Sequence, residues 1–183
     1  MRARMFTCAL LMFCAVAKGA PNETWRSTLH KEIPALGHRN WVVIADSAYP
    51  FQTGPGIETV QTGATHEEVL KTVLQELSSA KHVSPAVFLD AELPFVPEGR
   101  APGVTAYRKQ LKQLFGSLQT QSIPHEQLIK TLAEAGGTFH ILILKTTLTV
   151  PYTSVFLRLD CKYWGEEAEQ ELRQAMRQND ASK

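Results

Sequence analysis

Cysteine is scarce in this 183-residue sequence, and no histidine occurs in a metal-binding pattern. Only three cysteines are present, and Cys8 and Cys14 lie within the first twenty residues, which leaves Cys161 for the rest of the chain. None of the six histidines falls in a Cys-x-x-Cys or His-x-x-x-His arrangement. The sequence therefore indicates neither a disulfide scaffold nor a metal site.

The motifs of several common enzyme classes are missing as well. Gly54-Pro55-Gly56 is too short for a phosphate-binding loop, and no Lys-Ser or Lys-Thr follows it. No Gly-x-Ser-x-Gly marks a serine hydrolase. The 19 basic residues nearly balance the 18 acidic ones, giving a formal net charge of +1, which argues against nucleic-acid binding through a general basic field. We expect a globular protein without a cofactor.

A long apolar run occurs only near the N-terminus. A short segment with two basic residues, Arg2 and Arg4, precedes the apolar run 5–17, which ends in the small-x-small sequence Ala15-Val16-Ala17. This order predicts a signal peptide over residues 1–19 and hence a secreted or periplasmic protein. The run is too short to span roughly 30 Å of hydrocarbon, so we expect no membrane association after cleavage. The alternative is a buried N-terminal helix.

The remaining chain alternates between apolar runs and helical patterns. Buried strands are predicted over residues 41–45, 86–89, 139–144 and 154–159. Helices are predicted after Thr65, over 104–115, between Ser122 and Gly136, and over 165–178. Such alternation indicates a single α/β domain with a mostly parallel sheet. We place this domain at residues 28–160, and a polar helix with its tail at residues 165–183.

Polar residues with catalytic potential stand at the ends of these elements. His38 precedes the first strand and Asp46 follows it, Tyr152 precedes the last strand, and His125 opens the third helix. Ligands in open α/β sheets bind beyond the carboxyl ends of strands, which favours Asp46 as a site residue. The alternative is that each of these residues only caps a helix or completes a turn.

Several of these residues belong to motifs that together resemble a known family. Residues 37–50 begin with Gly-His, continue as an apolar strand ending in Asp46, and close with a proline. Val104 to Arg108, His125-Glu126-Gln127-Leu128 and Tyr152-Thr153-Ser154 follow in order. Over residues 28–160 this pattern resembles the RbsD/FucU family, which comprises D-ribose pyranases and L-fucose mutarotases. Ser154 stands where the family has Asn.

The resemblance implies a three-layer fold and an isomerase that interconverts sugar anomers or ring forms without a cofactor. It implies His38 as the principal acid/base, with Asp46 orienting it or binding a sugar hydroxyl. Tyr152 and His125 would complete proton transfer, and a further pair of residues would bind the monosaccharide substrate, namely Arg108 and Ser154. The family also implies a ring-like homo-oligomer whose pockets are completed by residues of a neighbouring copy.

Two other interpretations remain open at this point. A non-catalytic, exported carbohydrate-binding protein would keep the same pocket, and Ser154 in place of Asn favours it. An interaction scaffold would use the C-terminal helix. Retention of His38, Asp46 and Tyr152 together favours the enzyme.

Overall fold

A computed structural model describes residues 24–181, with side chains through residue 179. The predicted signal peptide, residues 1–19, lies outside the described residues. Between residues 24 and 181, no helix combines the length and apolar character that crossing a membrane requires.

Six strands form one sheet, and helices precede and follow them along the chain. The helices are α1 (Trp25–Glu32), α2 (His66–Ser79), α3 (Val104–Phe115), α4 (His125–Ala135) and α5 (Glu166–Ala181). The strands are β1 (Trp41–Ala45), β2 (Ile57–Gln61), β3 (Val83–Asp90), β4 (Thr120–Ile123), β5 (Ile141–Lys145) and β6 (Val155–Cys161). The strand order is β2-β5-β1-β6-β3-β4, and β6 alone runs antiparallel to its neighbours. The predicted α/β domain with a mostly parallel sheet is confirmed.

The central strands are covered on both faces, which explains their continuous apolar sequences. Every residue of β1 is buried. On one face, Val42 and Ile44 belong to a core that also contains buried residues of α1, α2 and α3. On the other face, Val43 and Ala45 pack in a second core with Leu128 and Leu132 of α4, among others. The alternating side chains of the sheet thus separate two helical layers.

Local sequence signals explain where α2 begins and where α4 ends. Thr65 caps α2 by accepting a hydrogen bond from the Glu68 backbone N–H at 3.3 Å. The Glu68 carboxylate accepts a hydrogen bond from Arg26 of α1, so this carboxylate ties α2 to α1. Helix α4 ends at Gly136, whose N–H donates to the Leu132 carbonyl.

The topology gathers several chain segments at one edge of the sheet, which we call the carboxyl edge. Strands β1, β3 and β4 run in the same direction and end there. The antiparallel strand β6 begins there. Asp46, Asp90, His125 and Ser154 therefore come together at this edge, although more than a hundred residues separate the first from the last.

Candidate active site

Asp46 is fixed at the carboxyl edge by the segment that leads into β6. Its Oδ2 accepts a hydrogen bond from the Ser154 hydroxyl at 3.1 Å, and its Oδ1 accepts one from the Ala48 N–H at 2.8 Å. The Asp46 N–H in turn donates to the Ser154 hydroxyl at 3.3 Å. Both residues are buried, at 8% and 1% exposure. Ser154 therefore holds the Asp46 carboxylate in place.

His125 lies beside two carboxylates, one at the last residue of β3 and one two residues after it. Its Nδ1 is 3.0 Å from Oδ1 of Asp90, whose side chain is fully buried. Its backbone N–H donates to both carboxylate oxygens of Glu92 at 3.1 Å. Pro124, the residue before α4, provides no side-chain cap, so Glu92 supplies the acceptor for this helix start. The His125 ring and the first turn of α4 are thereby positioned by the end of β3.

The electrostatics of this pair follow from its burial and its hydrogen bond. The hydrogen bond to Asp90 raises the pKa of His125, and the charges of Asp90, Glu126 and Glu92 add to that rise. Burial raises the pKa of Asp90, against the lowering effect of the hydrogen bond from His125. Oδ2 of Asp90 is buried and has no hydrogen-bond partner among residues 24–181. His125 is thus the one side-chain partner that the described structure gives this carboxylate.

Tyr152 brings a phenol to the same place. Its ring meets that of His125 edge-on, with centroids 5.6 Å apart and planes at 86°. Its backbone has a φ of 57°, in the left-handed region that is uncommon for a residue with a side chain. Tyr152 is 38% exposed and lines an open cleft of about 350 Å³ together with Glu92, Phe95 and Arg100. The cleft is therefore lined by Tyr152, whose ring contacts that of His125.

A second histidine–tyrosine pair lies beneath the carboxyl edge. His66 and Tyr107 are buried, and their ring centroids are 5.3 Å apart. A ring nitrogen of His66 is 3.3 Å from the Ile44 carbonyl, and the Tyr107 hydroxyl donates to the Thr153 carbonyl at 2.5 Å. Burial lowers the pKa of His66 to about 4. The hydrogen bond from Tyr107 to Thr153 thus fixes the backbone next to Ser154, and the neutral His66 ring packs against Tyr107.

His38 is not brought to the carboxyl edge of its own chain. It is exposed in the turn before β1, at the opposite edge of the sheet from Asp46. The five residues of β1 alone extend about 16 Å at the usual rise per strand residue. Within one chain, Asp46 therefore does not orient His38.

Arg108 is not among the residues that line the cleft beside Tyr152. Its Nη1 donates to the Leu93 and Val96 carbonyls, both at 3.0 Å, and its Nη2 donates to the Thr105 hydroxyl at 3.2 Å. These contacts hold the turn at Leu93–Phe95, and Phe95 and Val96 line the cleft. Arg108 thus shapes the cleft through this turn.

The sequence does not single out Glu92, and Asp90 was not predicted as a site residue although its position in the sequence could have identified it. Asp90 ends an apolar strand in the same way as Asp46 ends β1, and it would meet the same strand-end criterion. Among the described residues, no group of three His, Cys, Asp or Glu side chains could hold a metal ion.

Comparison with known proteins adds four findings. A model of the RbsD / FucU transport protein family matches residues 22–161. RbsD from Bacillus subtilis, solved in complex with D-ribose, is 20% identical with a TM-score of 0.54, covering 73% of this chain and 92% of its own. FucU from Bifidobacterium longum is 19% identical with a TM-score of 0.52, covering 73% of this chain and 93% of its own. No curated protein sequence matches the chain. At these identities, the two structures establish a shared fold.

Proposed function

Since the chain belongs to the RbsD/FucU family, we propose that it is a sugar mutarotase or pyranase. The observation that carries this proposal is the carboxyl-edge cluster, where His125 is hydrogen-bonded to Asp90 and packed edge-on against the exposed Tyr152. All three residues lie within the range that the family model matches, residues 22–161. The similar RbsD from B. subtilis was solved with D-ribose, which supports a monosaccharide as the ligand class.

The proposed reaction requires one group that accepts a proton and one that donates a proton. A base removes the proton of the anomeric hydroxyl while an acid protonates the ring oxygen, and the bond between C1 and the ring oxygen breaks. The open-chain carbonyl then turns, and the reverse proton transfers close the ring with the other anomeric configuration or another ring size. No electrons are gained or lost, and positioned proton transfer is sufficient.

Within one chain, His125 is the group best suited to proton transfer. Its Nδ1 is engaged by Asp90, and its Nε2 has no hydrogen-bond partner in the described part of the chain. Its side chain is 22% exposed, so a ligand can reach it. Tyr152 offers a hydroxyl at the cleft. Asp46, fixed by Ser154, would accept a hydrogen bond from a sugar hydroxyl.

His38 enters this proposal as a residue of a second copy. It stands exposed at the far edge of the sheet, so it can serve a carboxyl-edge site only across a contact between copies. We propose a ring-like homo-oligomer in which each copy presents His38 to the cleft of a neighbour. A head-to-tail contact of this kind brings two different surfaces together, and it forms a ring when the rotation between successive copies closes.

The contacts of Ser154 favour a second candidate function. Its hydroxyl donates to Asp46, and the serine side chain is shorter than the Asn of the family pattern. A carbohydrate-binding protein without catalysis would be compatible with this contact. For either function, the sequence of residues 1–20 supports export as the proposed location.

Exchange NMR on the purified protein separates the two candidates. D-ribose, L-fucose, D-galactose and D-glucose are tested for transfer of magnetisation between their anomers. We expect acceleration of one sugar's exchange by a factor on the order of 10²–10⁴, the range of positioned proton transfer, and its loss in His125→Ala. Lys130→Ala, on the exposed side of α4, is the matched control and should retain the rate.

The other outcomes decide against the enzyme. Saturation transfer to a sugar without faster exchange would identify the binding protein. If no sugar binds and none exchanges faster, both candidates are wrong.

A further inference from the structure

The environment of His125 defines a role for a residue that does not touch the cleft. His125 is the first residue of α4, where the positive end of the helix dipole disfavours a charged imidazole. Asp90 approaches its ring from β3 at 3.0 Å, with a side chain of zero exposure. Because that carboxylate is shielded from water, its effect on the ring is strong.

We propose that Asp90 is a positioning residue for His125, which fixes the orientation of the ring and places a proton on its Nδ1. This proposal rests on the proposed function, because it assigns His125 the part of the general acid. In its ionised form the Asp90 carboxylate only accepts hydrogen bonds, so in that form the Nδ1 facing Oδ1 carries a hydrogen. Nε2 is left for the substrate and, in the charged ring, donates its proton to the sugar ring oxygen.

The unpartnered oxygen of Asp90 strengthens this argument. Oδ2 is buried without a hydrogen-bond partner in residues 24–181, so the contact with His125 is the main compensation for burying the carboxyl group. When a buried carboxylate has a single hydrogen-bond donor, loss of the proton from that donor is disfavoured. The same physics acts on the partner, and the pKa of His125 is raised above its ordinary value.

The other ionisable groups around His125 are carboxyl groups, whose negative charge also favours the charged imidazole, and a phenol. Glu92 accepts from the His125 backbone N–H, Glu126 lies on the same helix, and Tyr152 faces the ring from the segment before β6. Asp46 acts on Asp90 from the end of β1. Of these, Asp90 alone is hydrogen-bonded to the imidazole, so its removal should produce the largest change.

The ring of His125 can be observed directly by long-range ¹H–¹⁵N NMR of the full-length, ¹⁵N-labelled protein over a pH series. In the wild type, we expect the neutral ring to carry its proton on Nδ1, with a titration midpoint above 6.5. In Asp90→Asn, we expect the midpoint to fall by about 1–3 pH units, as for the loss of an adjacent opposite charge. Glu92→Gln is the matched control, and it should keep the tautomer and shift the midpoint less.

Catalysis supplies an independent readout. If His125 is the acid, the rate of anomeric exchange falls as the pH rises through the titration midpoint of His125. In Asp90→Asn, this decline should move to lower pH by the same interval as the NMR midpoint, with kcat reduced and KM little changed. A loss of sugar binding with an unchanged pH profile would show a different role for Asp90 and overturn the proposal.

Two further outcomes keep the proposal separate from the proposed function. A wild-type neutral ring protonated on Nε2, or a midpoint unaltered by Asp90→Asn, overturns it, and the first of these needs no variant. Far-UV circular dichroism establishes that Asp90→Asn is folded before its midpoint is read. If the NMR predictions hold but no sugar exchanges faster, the effect of Asp90 on His125 stands and the proposed function fails.

Discussion

Two histidines that begin helices show how strongly the immediate surroundings determine a residue's chemistry. His66 starts α2 and His125 starts α4, so both lie at the positive end of a helix. His66 is buried against a backbone carbonyl and a tyrosine, and its pKa falls to about 4 because burial disfavours the charged ring. His125 is hydrogen-bonded to a carboxylate, and its pKa rises. Both histidines are the first residue of a helix, but their neighbouring groups shift the pKa in opposite directions.

The low pKa of His66 predicts acid sensitivity of the fold. An unfolded chain takes up a proton at His66 below about pH 6.5, whereas the folded chain does so only near pH 4. The stabilisation from keeping His66 neutral is therefore complete above pH 6.5 and is lost as the pH falls from 6.5 to 4. This loss is on the order of 3 kcal/mol, at about 1.4 kcal/mol per pH unit.

Urea denaturation at several pH values between 4 and 7 tests this prediction. His66→Gln retains a donor for the Ile44 carbonyl but does not titrate, so its free energy of unfolding should change less with pH than that of the wild type. His30→Gln, at an exposed position of α1, should keep the wild-type dependence. Equal pH dependence of wild type and His66→Gln would refute the assignment.

At the level of elements, sequence analysis identified the central strands and missed those at the margins. The strands β1, β3, β5 and β6 lie inside the sheet and contain apolar runs that reveal them. The edge strands β2 and β4 are partly or largely exposed, with polar sequences such as Thr120-Gln121-Ser122. A pattern that depends on burial does not detect strands that are not buried on both faces. Helix α1 was missed because only Trp25 and Leu29 are buried within it.

The candidate site was predictable to the extent that it depends on strand ends. Asp46 could be placed because ligands in α/β sheets bind where parallel strands end, whereas His125 was singled out as the residue that opens a helix. The contact between His125 and Asp90 depends on β4 lying beside β3 in the sheet, and local sequence does not encode that neighbour. The expected contact between His38 and Asp46 ignored the length of β1, which separates its two ends.

The position of α4, and with it His125, depends on a close approach at the opposite end of this helix. Gly56, just before β2, donates its N–H to the Gly136 carbonyl at 2.8 Å. A Cβ at position 56 would lie 2.3 Å from the Phe139 carbonyl oxygen and 2.7 Å from that of Gly136. Both atoms belong to the backbone, so the chain itself must move to admit a methyl group.

Gly56→Ala should therefore lower the free energy of unfolding by about 1–3 kcal/mol, the usual cost of overpacking. Gly99→Ala is the matched control, because nothing lies within 4 Å of a Cβ there. Urea denaturation compares the two variants with the wild type. Equal stability of all three proteins would mean that α4 and β2 are less closely packed than described.

At the scale of the whole molecule, the proposed catalytic residues are divided between two edges of one sheet. Asp46, His125 and Tyr152 lie at the carboxyl edge, and His38 lies at the other. No rotation of a side chain bridges a strand length of about 16 Å. A contact between different edges of two copies would bring both sets together. Each site would then contain residues of two copies.

Mixed assemblies of two inactive variants test this arrangement. His38→Ala and His125→Ala are co-expressed in equal amounts with different affinity tags, and assemblies carrying both tags are isolated. If His38 acts across a contact, a site is intact when its own copy keeps His125 and the neighbouring copy keeps His38. In assemblies carrying both tags, this holds for about half of the sites of a dimer and for about a quarter of the sites of a large ring. The rate of anomeric exchange should then recover to about the same fraction of the wild-type rate.

Separately purified variants that are mixed without exchange of copies should stay inactive, which controls for contamination by active protein. Light scattering should give a mass above that of one chain for each variant and for the wild type. If the mixed assemblies remain inactive, His38 and His125 must act within one chain or His38 has no part in the reaction. A monomeric wild type that is fully active would exclude the shared site directly, because its His38 would have no neighbouring cleft to enter.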